Sequence, residues 1–281
     1  MNWVFIGAGN MASSLIGGLI NSGANPSSIV VVDPDTDACD RAQTRFGIQS
    51  ASDVNVPISQ MADQPYGVVL AVKPHIVETA CLSLTKSVDL ANQTPPLVVS
   101  VAAGVRASSM RQWLHPNSPI VRCMPNTPAL LGLGATALFS NEDCTSQDKS
   151  MAEHLLNSAG MTIWVAEEAA LDAVTAVSGS GPAYFFYLIE HMAAAGEALG
   201  LDELTARDLA IETAYGAASM ARTKENTPAV LRENVTSKGG TTAAALNVFN
   251  EHQLPVIIEK AMRAAHDRAV EFGDQLAPDI E

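Results

Sequence analysis

The stretch from Trp3 to Gly23, WVFIGAGNMASSLIGGLINSG, constrains the fold of this 281-residue chain more than any other. An apolar run, Trp3 to Ile6, passes straight into a glycine turn, and the turn opens an amphipathic helix that stops at Gly23. Asn25-Pro26 turns the chain again, and SIVVVDPD supplies a second apolar run ending in Asp33 and Pro34. Strands covered on both faces read as continuous apolar runs, whereas half-exposed strands alternate. Two such runs separated by a helix predict a βαβ unit in a parallel sheet. Similar runs follow at 67–72, 96–104 and 119–126, with helical stretches such as Val77 to Ser87 and Ser108 to Leu114 between them. GATALFS (134–140) and MTIWVA (161–166) add later strands. The pattern predicts a doubly wound, mostly parallel α/β sheet.

After about residue 164 the texture changes. From Glu167 onward no strand pattern appears, and six stretches read as helices, at 167–177, 182–200, 201–223, 227–234, 241–252 and 255–273. Pro182, Asp202, Thr227-Pro228 and Pro255 signal starts, and Gly200 and Gly273 signal stops. Two domains are therefore expected, residues 1–164 and 165–281, the second all-helical. Its frequent alanines permit close helix approach, which suits an oligomer interface.

With 47% hydrophobic and 16% charged residues, the chain has ample material for a large core. A net charge of −14 argues against nucleic-acid or anionic-membrane partners, which need a basic footprint, but not against small anions. Cys39, Cys81, Cys123 and Cys144 form no CxxC pair, and the six histidines form no metal-binding spacing. No metal is expected. Reduced thiols, no charged region ahead of the first strand and no apolar run of about 20 residues predict a cytoplasmic protein.

The glycine turn reads Gly7-Ala8-Gly9-Asn10-Met11-Ala12, a G-x-G-x-x-A form of the dinucleotide fingerprint. Gly7 permits the tight turn, Gly9 lets backbone approach a pyrophosphate, and Ala12 keeps helix and strand close. Asp33 ends the second strand, where a carboxylate accepts from ribose hydroxyls and repels a 2′-phosphate; the alternative is a turn residue before Pro34. Arg41 and Arg45 are the nearest cations, on the following helix. Ligands of open α/β sheets collect at the carboxyl edge, so three more strand ends are candidates. These are Ala71-Val72-Lys73-Pro74, Ala102-Ala103-Gly104 and Met124-Pro125-Asn126-Thr127-Pro128. Lys73 is either a cofactor contact or a surface charge.

A second polar glycine segment interrupts the helical half at NVTSKGGTTAAAL, residues 234–246. Two adjacent glycines cost a helix about 1 kcal/mol each, so they mark a break. Hydroxyls from Thr236, Ser237, Thr241 and Thr242 cluster there, and the helical pattern then resumes. Such a loop serves either as an anion site at a helix start or as a plain N-cap by Thr241 or Thr242.

GAGNM, AVKP, SVAAG, MPNTP, SGSGPAY (178–184) and SKGGTT (237–242) occur in this order over nearly the whole chain. Together they resemble pyrroline-5-carboxylate reductases. The resemblance implies an N-terminal Rossmann domain and a helical domain that dimerises by interleaving helices, with dimers often assembling into decamers. It implies hydride transfer from NADPH or NADH to the C=N carbon of 1-pyrroline-5-carboxylate, giving L-proline. By similarity to the family loop S-P-G-G-x-T, Ser237 and the amides around Gly239, Gly240 and Thr241 would hold the substrate carboxylate. The Thr242 hydroxyl would hydrogen-bond the ring nitrogen. Glu225 matches an acid beside the family's substrate site, or is a solvated surface residue. Ser178 and Ser180 either line the pocket or cap the following helix.

Two departures stand out. Lys238 takes the place of the family loop's proline, and Asp33 replaces the hydroxyl or basic residues that suit NADPH in many relatives. Competing readings are a reductase of another cyclic imine and a cofactor-binding homologue without chemistry. A β-hydroxyacid dehydrogenase is disfavoured because no lysine lies between residues 150 and 223.

Overall fold

A computed structural model describes residues 2–60, 66–91 and 93–276. The chain divides into two compact units, one of residues up to Gly179 together with those from Ala265, the other Ser180–Ala264.

The first unit holds one eight-stranded sheet in the order β3-β2-β1-β4-β5-β6-β7-β8. The strands are β1 (Asn2–Ile6), β2 (Ile29–Val32), β3 (Gln49–Ala51), β4 (Tyr66–Leu70), β5 (Leu97–Ser100), β6 (Ile120–Met124), β7 (Gly134–Ser140) and β8 (Gly160–Trp164). Pairings are parallel from β3 through β6, β7 runs antiparallel to β6, and β8 is parallel to β7. The antiparallel step follows from chain length. Residues 125–133 span β6 to β7 through a single 3-10 turn, Thr127–Leu131, too short for the dozen or so residues a parallel crossover needs.

Both faces of the sheet are covered, which is why its central strands are mostly apolar, with Ser100 and Arg122 as buried polar exceptions. Phe5, Val31, Val99 and Val121 meet α1 (Asn10–Asn21), α2 (Thr36–Phe46) and α6 (Ser146–Asn157) through Leu15, Ile16, Cys39 and Leu155. Val4, Val30, Val68 and Ile120 meet α3 (Asn55–Gln60), α4 (Val77–Leu90) and α5 (Ala107–Trp113) through Ile58, Leu84 and Met110. Each such side chain contributes about 1.5–3 kcal/mol on burial, so the two cores dominate the unit's stability. The strands end earlier than the apolar runs suggest. Residues 71–74, 101–104 and 125–126 lie beyond their strands as carboxyl-edge loops.

Past β8 no strand occurs among the described residues. A short helix α7 (Ala170–Val174) runs into a π-helical turn, Thr175–Gly179, which closes the first unit's main segment. The expected boundary at 164 falls at the end of β8, and the division into compact units comes later, at Gly179; the outer limits of the expected domains, residues 1 and 281, lie outside the described residues. The second unit contains α8 (Gly181–Ala198), α9 (Glu203–Arg222), α10 (Pro228–Asn234), α11 (Thr241–Glu251) and the beginning of α12 (Leu254–Gln275). α8 stops where the Leu201 amide donates to Gly196 O, and α9 restarts with the Asp202 carboxylate accepting from Thr205 N at 3.1 Å. Ala193, Ala206 and Ala210 are buried, so small side chains make this helix pair close. Among the described residues, no helix is long and apolar enough to cross a membrane.

Candidate functional site

The order of the strands reverses between β1 and β4, and the fingerprint turn sits at that point. Gly7 N donates to Val32 O and Ala71 N donates to Ile6 O, both at 2.8 Å, locking the first and third candidate segments against each other. Gly7 takes φ +104°, and a Cβ there would lie 2.5 Å from Ala71 O, so only glycine fits. Gly9 differs. Its φ is −76°, and a Cβ would meet nothing within 4 Å. Gly9 is the N-cap of α1, without a side-chain hydrogen bond and without an acid in the first turn. Free amides at a helix N-terminus, with an open approach over Gly9, form a cradle that fits a pyrophosphate.

An open cleft of about 820 Å³ extends from Ala8, Gly9 and Asn10 to Asp33, Asp35, Arg41 and Arg45. Asp33 Oδ2 accepts from Ala8 N at 2.8 Å, and Oδ1 accepts from Asp35 N at 2.9 Å. The carboxylate thus ties the end of β2 to the fingerprint turn while lining the cleft. The turn reading of Asp33 is met by its bond from Asp35 N, and the same carboxylate lines the cleft. Ser13, Asp35, Asp40 and Phe46 also line this cleft. Sequence reasoning passed over these four and named only Arg41 and Arg45 on α2.

The remaining strand ends of the same unit carry the other candidates. Met11 is half-buried against the first core, and Val72 against the second. Lys73 is exposed and precedes the 3-10 turn Pro74–Ile76. Ala102, Ala103 and Gly104 line a small cavity of about 50 Å³ with Arg122, Met124, Asp172 and Phe272. Beside it, burial pushes the Cys123 thiol up to about 12, so it stays protonated and donates to Ser100 O at 3.2 Å. Asn126 is buried, and its amide is engaged at both ends. Nδ2 donates to Ser178 O at 3.0 Å, and Oδ1 accepts from Ala135 N at 2.9 Å. The Ser178 hydroxyl donates to Val174 O. Both side chains therefore brace the edge loops.

One ion pair had no sequence signal. Arg122 is buried, and its Nη1 donates to Glu168 Oε1 at 2.6 Å. The same oxygen accepts from Ala107 N at 2.7 Å, at the start of α5, whose N-cap Arg106 offers no side-chain cap. Glu168 thus caps α5 from 61 residues away and neutralises a buried guanidinium. Only a fold brings these groups together.

In the second unit, the loop of residues 235–240 feeds α11. Gly239 has φ +74°, which favours glycine, and a Cβ on Gly240 would displace the Ser237 hydroxyl from its present position. Gly240, not a threonine, is the N-cap, and no side chain caps the helix. That removes the plain N-cap alternative for Thr241 and Thr242, which occupy the first two helical positions. Among the described residues, the Ser237, Thr241 and Thr242 hydroxyls make no hydrogen bond, so they and the helix amides remain available to a ligand. Ser237, Lys238 and Thr241 are exposed and Thr242 is half-buried. Glu225 is exposed, just after Lys224 with its positive φ of 60°.

Residues 168–272 match the family model for pyrroline-5-carboxylate reductase dimerisation, and residues 2–104 match that for NADP oxidoreductase, coenzyme F420-dependent. The chain is 43% identical over 272 residues to a pyrroline-5-carboxylate reductase of Pseudomonas aeruginosa, covering 97% of each chain. It superposes on a pyrroline-5-carboxylate reductase from Coxiella burnetii with a TM-score of 0.89 at 39% identity, over 99% of both chains. A pyrroline carboxylate reductase of Plasmodium falciparum, solved with NADP bound, gives 0.81 at 26% identity, over 97% of this chain and 98% of that one. With full-length identity of this degree, and the fingerprint turn and glycine loop in place, the chain belongs to the pyrroline-5-carboxylate reductase family.

Proposed function

We propose that this chain reduces 1-pyrroline-5-carboxylate to L-proline with NADPH or NADH, the last step of proline biosynthesis. The observation that carries the reading is identity of 43% to a reductase of that name across 97% of both chains. When bound, the nicotinamide cofactor supplies the hydride. The residues of the chain bind, orient and hold a proton. Gly7, Ala8, Gly9, Asn10 and Met11 cradle the pyrophosphate at the start of α1, and Asp33 faces the ribose. Ala71, Val72, Lys73, Pro74, Ala102, Ala103, Gly104 and the Asn126 backbone shape the edge against the cofactor.

In this reading Ser237 and the uncapped amides at Gly239 and Thr241 hold the substrate carboxylate, helped by the dipole of α11, while the Gly240 amide closes the loop by donating to Ser237 O at 3.0 Å. Ser178 and Glu225 border the substrate. A protonated cyclic imine is already electrophilic, so positioning is most of what the protein must add. Thr242 hydrogen-bonds the ring nitrogen. The unengaged hydroxyls of the loop support these roles. The organisation into a cofactor-binding part (1–164) and a substrate-binding, dimerising part (165–281), and dimers that gather into a decamer in the cytoplasm, belong to the same proposal. Oxidation of NADH and of NADPH, each followed alone with 1-pyrroline-5-carboxylate, tests the assignment; absence of turnover with both cofactors rejects it.

A further inference from the structure

We infer that the ribose end of the cofactor cleft is built for a free 2′-hydroxyl, so that this chain prefers NADH, with Asp33 as the discriminating side chain. The inference rests on the reading of the 820 Å³ cleft as the dinucleotide site and goes on to choose between its two ligands. A 2′-phosphate needs free donors or unpaired cations where the second strand ends. Here the two nearest backbone donors are already spent. Ala8 N donates to Asp33 Oδ2 at 2.8 Å and Asp35 N donates to Oδ1 at 2.9 Å, so a fixed anion of the chain itself holds both.

The surrounding charges reinforce that choice. Asp33, Asp35 and Asp40 line the cleft against Arg41 and Arg45. Arg41 lies 3.8 Å from the Asp35 carboxylate, and the Arg45 guanidinium sits over the Phe46 ring, 4.9 Å from its centroid. Three carboxylates therefore outnumber two guanidiniums, one of which already faces an acid. A phosphate carrying nearly two negative charges would enter beside Asp33 with both of these backbone donors consumed. A ribose hydroxyl meets the opposite situation. Each carboxylate oxygen has two lone pairs, so Asp33 keeps acceptor capacity after taking both amides and can receive a hydroxyl proton. The carboxylate thus does two things at once: it sets the turn and it reads the ribose.

Calorimetric titration of the full-length protein with NADH and with NADPH, without substrate, reads the discrimination apart from turnover. The expected result is at least tenfold tighter binding of NADH. Asp33→Ser frees both amides and removes the charge, and should cut the ratio at least tenfold, mainly by improving NADPH. Because Asp33 also braces the turn, Asp33→Asn serves as the second variant; it keeps one acceptor for an amide and should likewise lower the ratio. Thermal melting of each variant shows that the fold is retained. Equal or tighter binding of NADPH by the unaltered protein overturns the inference, as does a ratio unchanged in both variants. Binding of neither dinucleotide overturns the cleft assignment itself, and the inference with it.

Discussion

At the residue scale, the fingerprint's two glycines are required for different reasons, and this separates folding from binding. Gly7 has a positive φ and backbone 2.5 Å from where a Cβ would stand, whereas Gly9 has an ordinary φ and open space. Gly7→Ala should therefore lower stability by more than about 1 kcal/mol, read from the melting temperature. Gly9→Ala should melt within about 0.5 kcal/mol of the parent yet bind cofactor at least about tenfold more weakly, because the added methyl occupies the approach to the α1 amides. Equal thermal losses in both variants would contradict the distinction. Thr242→Ala removes a half-buried hydroxyl that makes no hydrogen bond among the described residues. Its expected cost is a fall of about tenfold or more in kcat/KM, about 1.4 kcal/mol of transition-state stabilisation, with melting unchanged. Unaltered kinetics would remove it from the mechanism. The positions of Gly7, Gly9 and Thr242 were legible in sequence because glycine and hydroxyl patterns are local. The engagement of Asn126 was not, since its partners Ser178 and Ala135 are chosen by the fold.

Elements divide along the same line. The long apolar runs of β1, β2, β4, β5 and β6 announced themselves because both faces are buried. The edge strand β3, with the sequence QSA, carries no apolar signal, and the helix α6 has only a few buried positions, Ala152, Leu155 and Leu156. The start of α5 shows why element boundaries resist local reading. Its N-cap, Arg106, has no capping side chain, and the amide of Ala107 is met by Glu168 from across the unit. Glu168→Ala would leave that amide and the buried Arg122 guanidinium without their shared acceptor. Breaking a buried pair from one side costs about 3–5 kcal/mol, so a loss of about 3 kcal/mol is expected in denaturant unfolding. Restoring an acceptor with Glu168→Gln should recover part of it. A loss below about 1 kcal/mol would mean that water satisfies both groups and that the pair is incidental.

On the scale of the whole molecule, the helical unit is built with its largest apolar side chains outward. Phe186 is 64% exposed, Tyr215 65% and Ile257 54%, on α8, α9 and α12, while the buried positions of α8 and α9 are glycine and alanine. A soluble monomer rarely shows so extensive an apolar surface, and such a surface marks an interface. The match of residues 168–272 to a dimerisation model supports a second copy of the chain as its cover. This was partly legible, since the alanine-rich helical pattern suggested an oligomer, but which face stays uncovered depends on how α8 and α9 pair. A two-fold interface uses each residue twice, once per copy. Exchanging Phe186 for glutamate removes about 2 kcal/mol of burial at each of the two positions, before any charge penalty. The combined loss of about 4 kcal/mol corresponds to roughly a thousandfold weaker dimer. Light scattering after size exclusion at micromolar concentration should therefore find Phe186→Glu as a monomer where the parent is at least a dimer. Circular dichroism should still report its helices, because Phe186 lies outside the Ala193–Ala206–Ala210 contact that closes the helix pair. An oligomer of unchanged mass would place the interface on another face of the unit.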